Sequence, residues 1–312
     1  MPSPSTIAPL FDNPLALCIL GASNPIDGQR TLAANGSAPP QGSDARQFSP
    51  GNHDIQNRRG TMNNLPYDAI IFDLDGTLRM SDPRFFDVIR DILREEGMDV
   101  PWEQWRPVEA WIHYYWARSP EIQEDVRTYG EEQLWHRFLY RLIEQVGYPA
   151  TDALAGRVAR ALEETYRPQS VLKPGVRELL EHLRTLPITL GILSNRRDPF
   201  DEEVDQLGIR DYFHFLLHSG ALGVWKPDPR IFRAALEMAG DVPPERALYV
   251  GDNYYADVRG AHGVGMDALL IDDRGIFDVD DVPIIRDIRE ILDWLEEKRR
   301  QADGGETHHP LG

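Results

Sequence analysis

The chain has 312 residues, of which 41% are hydrophobic and 27% are charged, an ordinary balance for a globular protein. Its formal net charge of −18 repels nucleic acid, so we expect no nucleic-acid partner. Cys18 is the single cysteine, which excludes an intrachain disulfide, and no apolar run approaches the ~20 residues of a membrane-spanning helix. We therefore expect a cytoplasmic protein that does not associate with a membrane.

The first 63 residues are rich in Pro, Ser, Gly, Asn and Gln and have little apolar periodicity. Such a segment buries too little apolar surface to order itself, so we predict a disordered N-terminal extension over 1–63. Its apolar stretch 15–21 has no Lys or Arg before it and does not match a targeting signal. Met62 offers an alternative start, and the sequence leaves open whether the extension is real. At the other end, we predict a polar tail over 300–312.

The first predicted strand covers about 68–73 and leads into two aspartates. The segment 69–78 reads Ala-Ile-Ile-Phe-Asp-Leu-Asp-Gly-Thr-Leu, so Asp73 and Asp75 follow a β-prone apolar run and precede Gly76. Side chains at alternating positions of an extended chain point the same way. Because two adjacent buried carboxylates are costly without a cation or a proton-transfer role, this pattern favours a functional site over an acidic turn.

After Thr77 the apolar pattern is helical to about residue 167. We predict helices over about 83–96, 102–117, 121–146 and 151–166, which make 81–167 an all-helical domain. Five of the seven tryptophans lie in this block: Trp102, Trp105, Trp111, Trp116 and Trp135. We expect them to fill the core of a helical bundle, with the alternative that one or two face a substrate.

From Leu172 onwards, apolar strands alternate with amphipathic helices. The predicted strands cover about 188–193, 213–217, 247–250 and 268–271. The predicted helices cover about 174–185, 199–207, 229–239, 254–263 and 286–299. This alternation predicts an α/β fold with a doubly wound, parallel sheet, formed by 64–80 and 168–299. Ligands of such sheets bind beyond the carboxyl ends of the strands.

Further polar residues follow the strands at this same predicted edge. They are Ser194-Asn195, Lys226 before Pro227, and Asp252 with Asp257. Each residue alone has a structural interpretation, as a helix cap or a solvated cation, but their joint placement favours a site. Lysine is scarce, with three lysines against thirty arginines, so a lysine at this position indicates a specific role.

Together these segments resemble the haloacid dehalogenase superfamily of Rossmann-like phosphatases. Four segments match its signature motifs in order: Asp-Leu-Asp-Gly-Thr (73–77), Leu-Ser-Asn (193–195), Lys-Pro-Asp-Pro (226–229) and Gly-Asp-Asn-x-x-x-Asp (251–257). The resemblance covers about 66–298. It implies a Rossmann-like catalytic core with an inserted, all-helical cap of the C1 type over 81–167.

The resemblance also implies catalytic roles for three residues. Asp73 would attack the substrate phosphorus and form an aspartyl-phosphate. Asp75 would protonate the leaving alcohol and later activate water. Lys226 would neutralise charge on Asp73 and on the phosphoryl group.

A Mg²⁺ ion and a phosphoryl-binding set follow from the same resemblance. The ion would be held by the carboxylates of Asp73, Asp252 and Asp257, the last directly or through water, and by the backbone carbonyl of Asp75. Ser194 would donate a hydrogen bond to a phosphoryl oxygen. The other residues expected around the phosphoryl group are Asn195, Gly76 and Thr77.

The function implied is Mg²⁺-dependent hydrolysis of a small phosphorylated metabolite, such as phosphoglycolate, a sugar phosphate or a nucleoside monophosphate. The presence of Asp75 disfavours carbon–halogen cleavage, and the absence of lysine between Thr77 and Val171 disfavours a Schiff-base phosphonatase. A phosphomutase and a non-catalytic binding protein stay as alternatives, and the oligomeric state is open. Candidate substrate contacts in the cap are its aromatic residues with His113, Arg118 and Arg127, although these charged residues are also typical of solvated helix surface.

Overall fold

The computed structural model describes residues 65–304, with side chains to residue 301. The predicted extension over 1–63 therefore lies outside the described residues, as does most of the predicted polar tail. Within the described range, no helix combines the length and the apolarity needed to cross a membrane.

The strands of this part of the chain form one large sheet and one small ribbon. They are β1 (Ala69–Phe72), β2 (Arg79–Asp82), β3 (Gln169–Leu172), β4 (Thr189–Ser194), β5 (Phe215–His218), β6 (Ala247–Gly251), β7 (Asp267–Ile271) and β8 (Ile284–Ile285). The large sheet has the order β5-β4-β1-β6-β7-β8, and all of its neighbouring strands pair in parallel. The predicted parallel sheet is confirmed.

The helices fall into two groups. Those that flank the sheet are α6 (Val176–Leu183), α7 (Asp201–Gln206), α8 (Ser219–Leu222), α9 (Pro229–Met238), α10 (Arg259–His262) and α11 (Glu290–Gly304). The others form what we call the helical unit: α1 (Phe85–Glu95), α2 (Trp102–Trp116), α3 (Pro120–Tyr129), α4 (Leu134–Gln145) and α5 (Asp152–Thr165).

The central strand β1 is buried along its whole length, because helices cover both faces of the sheet. Ile70 and Phe72 pack in one apolar cluster with α6, α7 and α11, whereas Ala69 and Ile71 pack in another with α9 and α10. Alternate residues of a strand face opposite sides, so a strand between two helical layers needs apolar residues at every position. This requirement explains the unbroken apolar run before Asp73.

The helical unit has an apolar core of its own, in which Trp105, Trp116 and Trp135 are buried. The predicted single helix over 121–146 is wrong. The chain forms α3, a 3₁₀ turn and α4 instead, and the break falls at Gly130, whose φ of 77° lies in the left-handed region. A left-handed residue ends a helix, and glycine adopts that conformation without a steric penalty.

The prediction of helical structure from Thr77 to about 167 misses the ribbon that β2 and β3 form. These strands pair antiparallel with Arg79 opposite Leu172 and Asp82 opposite Gln169. The ribbon carries the chain from the sheet into the helical unit and back. The predicted helix over 254–263 also differs, because Tyr254–Val258 is a π-helical turn that leads into α10.

Candidate active site

A cavity of about 590 Å³ lies between the carboxyl edge of the sheet and the helical unit. On the sheet side its lining contains nearly all of the predicted site residues: Asp73, Asp75, Gly76, Ser194, Asn195, Lys226, Asp252 and Asp257. These residues meet there because the parallel strands β1, β4 and β6 all end at this edge. Thr77 is the exception. Its side chain is fully buried and does not line the cavity.

The Lys226 ammonium is the electrostatic centre of the site. Lys226 is 2% exposed, and its Nζ donates to Asp73 Oδ1 and to Asp257 Oδ1, each at 2.7 Å. Nζ also contacts the Tyr249 hydroxyl at 3.0 Å and the Leu193 carbonyl at 3.3 Å. Burial alone would lower the pKa of Lys226, but the two carboxylates outweigh it and raise that pKa well above its usual value. The lysine therefore stays charged beside Asp73.

Asn195 fixes the backbone that carries this lysine. Its Nδ2 donates to the Lys226 carbonyl at 3.2 Å, and its Oδ1 accepts from the Lys226 amide at 2.7 Å. The same Oδ1 also accepts from Ser219 Oγ at 2.8 Å. The Asn195 side chain thus binds both sides of the Lys226 residue, which differs from the phosphoryl contact that we expected of it.

Three carboxylates crowd together next to the lysine. Oxygen atoms of Asp73, Asp252 and Asp257 lie within 4.8 Å of one another. Two glycines permit this approach, because a Cβ on Gly76 would collide with the Asp252 carboxylate and one on Gly251 with the Asp257 carboxylate. Gly76 also has a φ of +83°, where glycine is favoured for a second reason.

This carboxylate cluster carries more negative charge than one lysine balances. Burial raises the pKa of Asp73 to about 7, despite the nearby Lys226, and it raises the pKa of Asp252 well above its usual value. An oxygen-only donor set with surplus negative charge fits a hard divalent cation such as Mg²⁺. Asp73, Asp252 and Asp257 are the residues that would hold it.

The Asp75 side chain points away from this cluster, towards two arginines. Arg196 donates to it in a fork, from Nε at 2.9 Å and from Nη2 at 2.7 Å, and Arg79 Nε lies 2.6 Å from Asp75 Oδ1. Ser194 Oγ is 3.5 Å from Asp75 Oδ2. Burial alone would raise the pKa of Asp75, but the two guanidinium groups outweigh it and lower that pKa. Asp75 is therefore held as an anion, which can accept a proton but has none to donate.

Arg196 and Lys173 are site residues that the sequence reasoning missed. Arg196 is fully buried and also pairs with Glu203. Lys173 lines the cavity and donates from Nζ to the Gly76 carbonyl at 2.8 Å, which supports the turn after Asp75. A signal for each was present. Arg196 directly follows Ser194-Asn195, and Lys173 is one of only three lysines in the chain.

A family model described as haloacid dehalogenase-like hydrolase matches residues 67–265, which is more than half of the chain. The chain belongs to this family.

Similarity to curated relatives supports the same family assignment for this haloacid dehalogenase-like hydrolase. It is 31% identical to a glyceraldehyde 3-phosphate phosphatase of Methanopyrus kandleri, across 73% of this chain and 97% of the relative. It is also 31% identical to a phosphoserine phosphatase of Thermus thermophilus, across 72% of this chain and 97% of the relative. A phosphoglycolate phosphatase of Pseudomonas putida is 29% identical, across 63% of this chain and 66% of the relative.

These relatives place the hydrolase in the phosphatase branch of the family, as a phosphoric monoester hydrolase. The three relatives are named for three different phosphate esters. What they share is the phosphoryl group, whereas the remainder of the ester differs from one relative to the next.

Three residues were expected as candidate substrate contacts: His113, Arg118 and Arg127. Two of them line the cavity, on the side opposite the sheet. His113 lines the cavity and packs between the rings of Phe86 and Phe277, and burial lowers its pKa to about 4. Arg118 also lines it, with its guanidinium 5.1 Å from the centre of the Trp225 ring. Arg127 does not line the cavity. Its side chain is 74% exposed and pairs with Glu124, as expected of helix surface.

Proposed function

We propose that this haloacid dehalogenase-like hydrolase is a cytoplasmic, Mg²⁺-dependent phosphatase that acts on a small phosphorylated metabolite through an aspartyl-phosphate on Asp73. The observation that supports this most strongly is the Lys226 ammonium 2.7 Å from the Asp73 carboxylate, next to two further carboxylates that would hold the metal. Residues 81–167, which contain the helical unit, serve as the cap over the cavity.

Asp73 attacks the phosphorus and the bond to the leaving alcohol breaks, so the phosphoryl group moves onto the carboxylate. Lys226 keeps its charge throughout and stabilises the negative charge that the phosphoryl oxygens share during transfer. Ser194 lies at the end of β4 with its hydroxyl at the limit of hydrogen-bonding distance from Asp75, so it is available to donate to a phosphoryl oxygen. Mg²⁺, when bound, supplies positive charge that balances the carboxylates and polarises the phosphoryl group.

Asp75 handles the protons in both halves of the reaction. In the first half it gives a proton to the leaving alcohol, and in the second half it takes one from the water that hydrolyses the aspartyl-phosphate. Its contacts with Arg196 and Arg79 favour the anion, so in the first half Asp75 must turn away from these arginines and take up a proton from solvent before it gives that proton to the alcohol. The second half needs the anion that the arginines favour.

The test is release of inorganic phosphate from a panel of phosphate esters, with and without Mg²⁺. We expect Mg²⁺-dependent release by the parent protein and none by Asp73→Asn, because the amide has nearly the same shape but is not a nucleophile. Asp205→Asn is the matched control, since Asp205 is exposed and does not line the cavity. A rapidly quenched reaction should carry the phosphoryl adduct on the peptide that contains Asp73. Undiminished turnover by Asp73→Asn would refute the assignment, and a mutase would release no net phosphate.

A further inference from the structure

We propose that the substrate of this enzyme carries a bulky apolar leaving group, an alkyl or aryl alcohol, which binds against the helical unit. This proposal rests on the proposed phosphatase function and extends it from the phosphoryl group to the remainder of the ester. Three features of the described residues carry it: the size of the cavity, the apolar character of its far wall, and the pairing of two charged groups in its lining.

The cavity is larger than the phosphoryl group requires. Its volume of about 590 Å³ lies within the range of about 300–1,000 Å³ that encloses a ligand of drug size. It corresponds to roughly twenty water molecules at about 30 Å³ each. The catalytic residues lie on the sheet side, so the space next to the helical unit is left for the remainder of the ester.

The wall that faces the catalytic residues is largely apolar. Its apolar members from the helical unit are Phe85, Phe86, Ile112, Trp116, Ile122, Val126 and Leu134, and they outnumber the polar ones. Helix α3 shows the pattern most clearly. Ile122 and Val126 lie four positions apart, on the same face of the helix, and both are only half-buried. These side chains pack against the edge of the helical unit's core and also line the cavity, so an apolar ligand would complete their burial.

Two charged groups of the cavity lining, Arg84 and Glu109, already have partners. Arg84 donates to Asp273 at 2.8 Å, and the buried Glu109 pairs with Arg274 and accepts from an indole N–H. Arg118 and Glu131 are exposed. A leaving group rich in hydroxyls would therefore find these two groups already engaged and would depend on the His113 imidazole, whereas an unpaired polar group is costly to bury.

An alkyl series tests the proposal, because straight-chain alcohols leave with nearly equal chemical ease. We would measure kcat/KM for ethyl, butyl and hexyl phosphate with Mg²⁺, and for glycerol 1-phosphate as a polar ester. Each added methylene that enters the cavity should raise kcat/KM about fourfold, which is the about 0.8 kcal/mol of a buried CH₂. Hexyl phosphate should therefore exceed butyl phosphate by at least ~10-fold, and glycerol 1-phosphate should fall below butyl phosphate.

The wall itself is tested with the double variant Ile122→Thr/Val126→Thr. It keeps two branched side chains in place but makes the face of α3 polar. We expect the ratio of kcat/KM for hexyl to ethyl phosphate to fall at least threefold. Because the ratio is internal to each protein, a general loss of folded enzyme does not change it. Leu222→Thr is the matched control, since Leu222 is 46% exposed, lies outside the cavity lining, and should leave the ratio unchanged.

The outcomes separate this proposal from the function on which it rests. Hydrolysis of glycerol 1-phosphate together with a flat alkyl series would overturn the apolar leaving group and leave the phosphatase intact. A steep alkyl series that the double variant does not change would also overturn the proposal, because the chain would then bind elsewhere. Absence of phosphate release from every ester with Mg²⁺ would overturn the phosphatase function, and this proposal with it.

Discussion

Replacement of Lys226 by methionine removes the ammonium that contacts both Asp73 and Asp257. Lys226 is 2% exposed and contacts Asp73 and Asp257 at 2.7 Å each, so both carboxylates lose a buried partner at once. Methionine keeps an unbranched chain of similar length without the charge. Any change in stability therefore reports the charge rather than a cavity.

The magnitude follows from the burial of the pair. Removing one partner of a buried ion pair costs about 3–5 kcal/mol, because the other partner stays as an uncompensated charge. Burial already raises the pKa of Asp73 to about 7, so this group can take up a proton near neutral pH and limit the loss. We therefore expect the lower bound of about 3 kcal/mol. At about 2–4 °C per kcal/mol for a fold of this size, the Tm should fall by about 6–12 °C.

The assay is thermal unfolding at neutral pH in the absence of divalent cations, with Lys298→Met as the matched control. Lys298 makes one ion pair, to Asp267 at 3.2 Å, and its side chain is 30% exposed. Its replacement should change the Tm by less than ~2 °C, since exposed pairs contribute about 0–1 kcal/mol. A Tm of Lys226→Met within ~2 °C of the parent would show that the lysine does not balance these carboxylates.

Three further predictions concern charge and proton binding. Lys226→Arg keeps the charge, but a planar guanidinium does not fit the space of an ammonium. The kcat measured at steady state should therefore fall at least ~10-fold, and a kcat within ~2-fold of the parent would contradict this. Arg196→Lys removes the two-pronged contact with Asp75, so the free energy of unfolding measured with urea should fall by about 1.5–3 kcal/mol. An unchanged free energy of unfolding would count against this contact. For His113, burial lowers the pKa to about 4, so the unfolded chain binds more protons between about pH 4 and 6.5 and stability should fall as the pH drops through that window. His113→Phe should make the fall in Tm from pH 7 to 5 shallower than in the parent, and equal slopes would refute the assignment.

The sheet and its edge were predictable from the sequence because buried parallel strands need an apolar residue at every position. The run before Asp73 and the run before Ser194 meet this condition, and each ends in polar residues. Polar residues directly after a buried strand stand at the carboxyl edge whatever the details of the helices. The placement of Asp73 and Asp252 at one edge followed from strand ends, whereas their grouping with Asp257 as metal ligands followed from the family resemblance.

The features of the fold and of the site that the sequence did not predict depend on contacts that a local sequence pattern does not reveal. Strands β2 and β3 are partly exposed and mostly polar, so they lack the apolar signal that marks β1. The fork between Arg196 and Asp75 joins residues that are 121 positions apart. Asn195 was assigned to the phosphoryl group, but its amide binds the backbone of Lys226, which is 31 positions away. Side-chain direction at a strand end is decided by such partners rather than by the residue type.

The ribbon of β2 and β3 brings the two ends of the helical unit to the same place. Asp82 and Gln169 face each other across an antiparallel pair, at a Cα separation of about 4.5–5.5 Å. That gap is short enough for a two-residue hairpin turn. Residues 83–168 therefore leave the ribbon and rejoin it at one place, so a change in their length need not move the ends of β2 and β3 or Asp73.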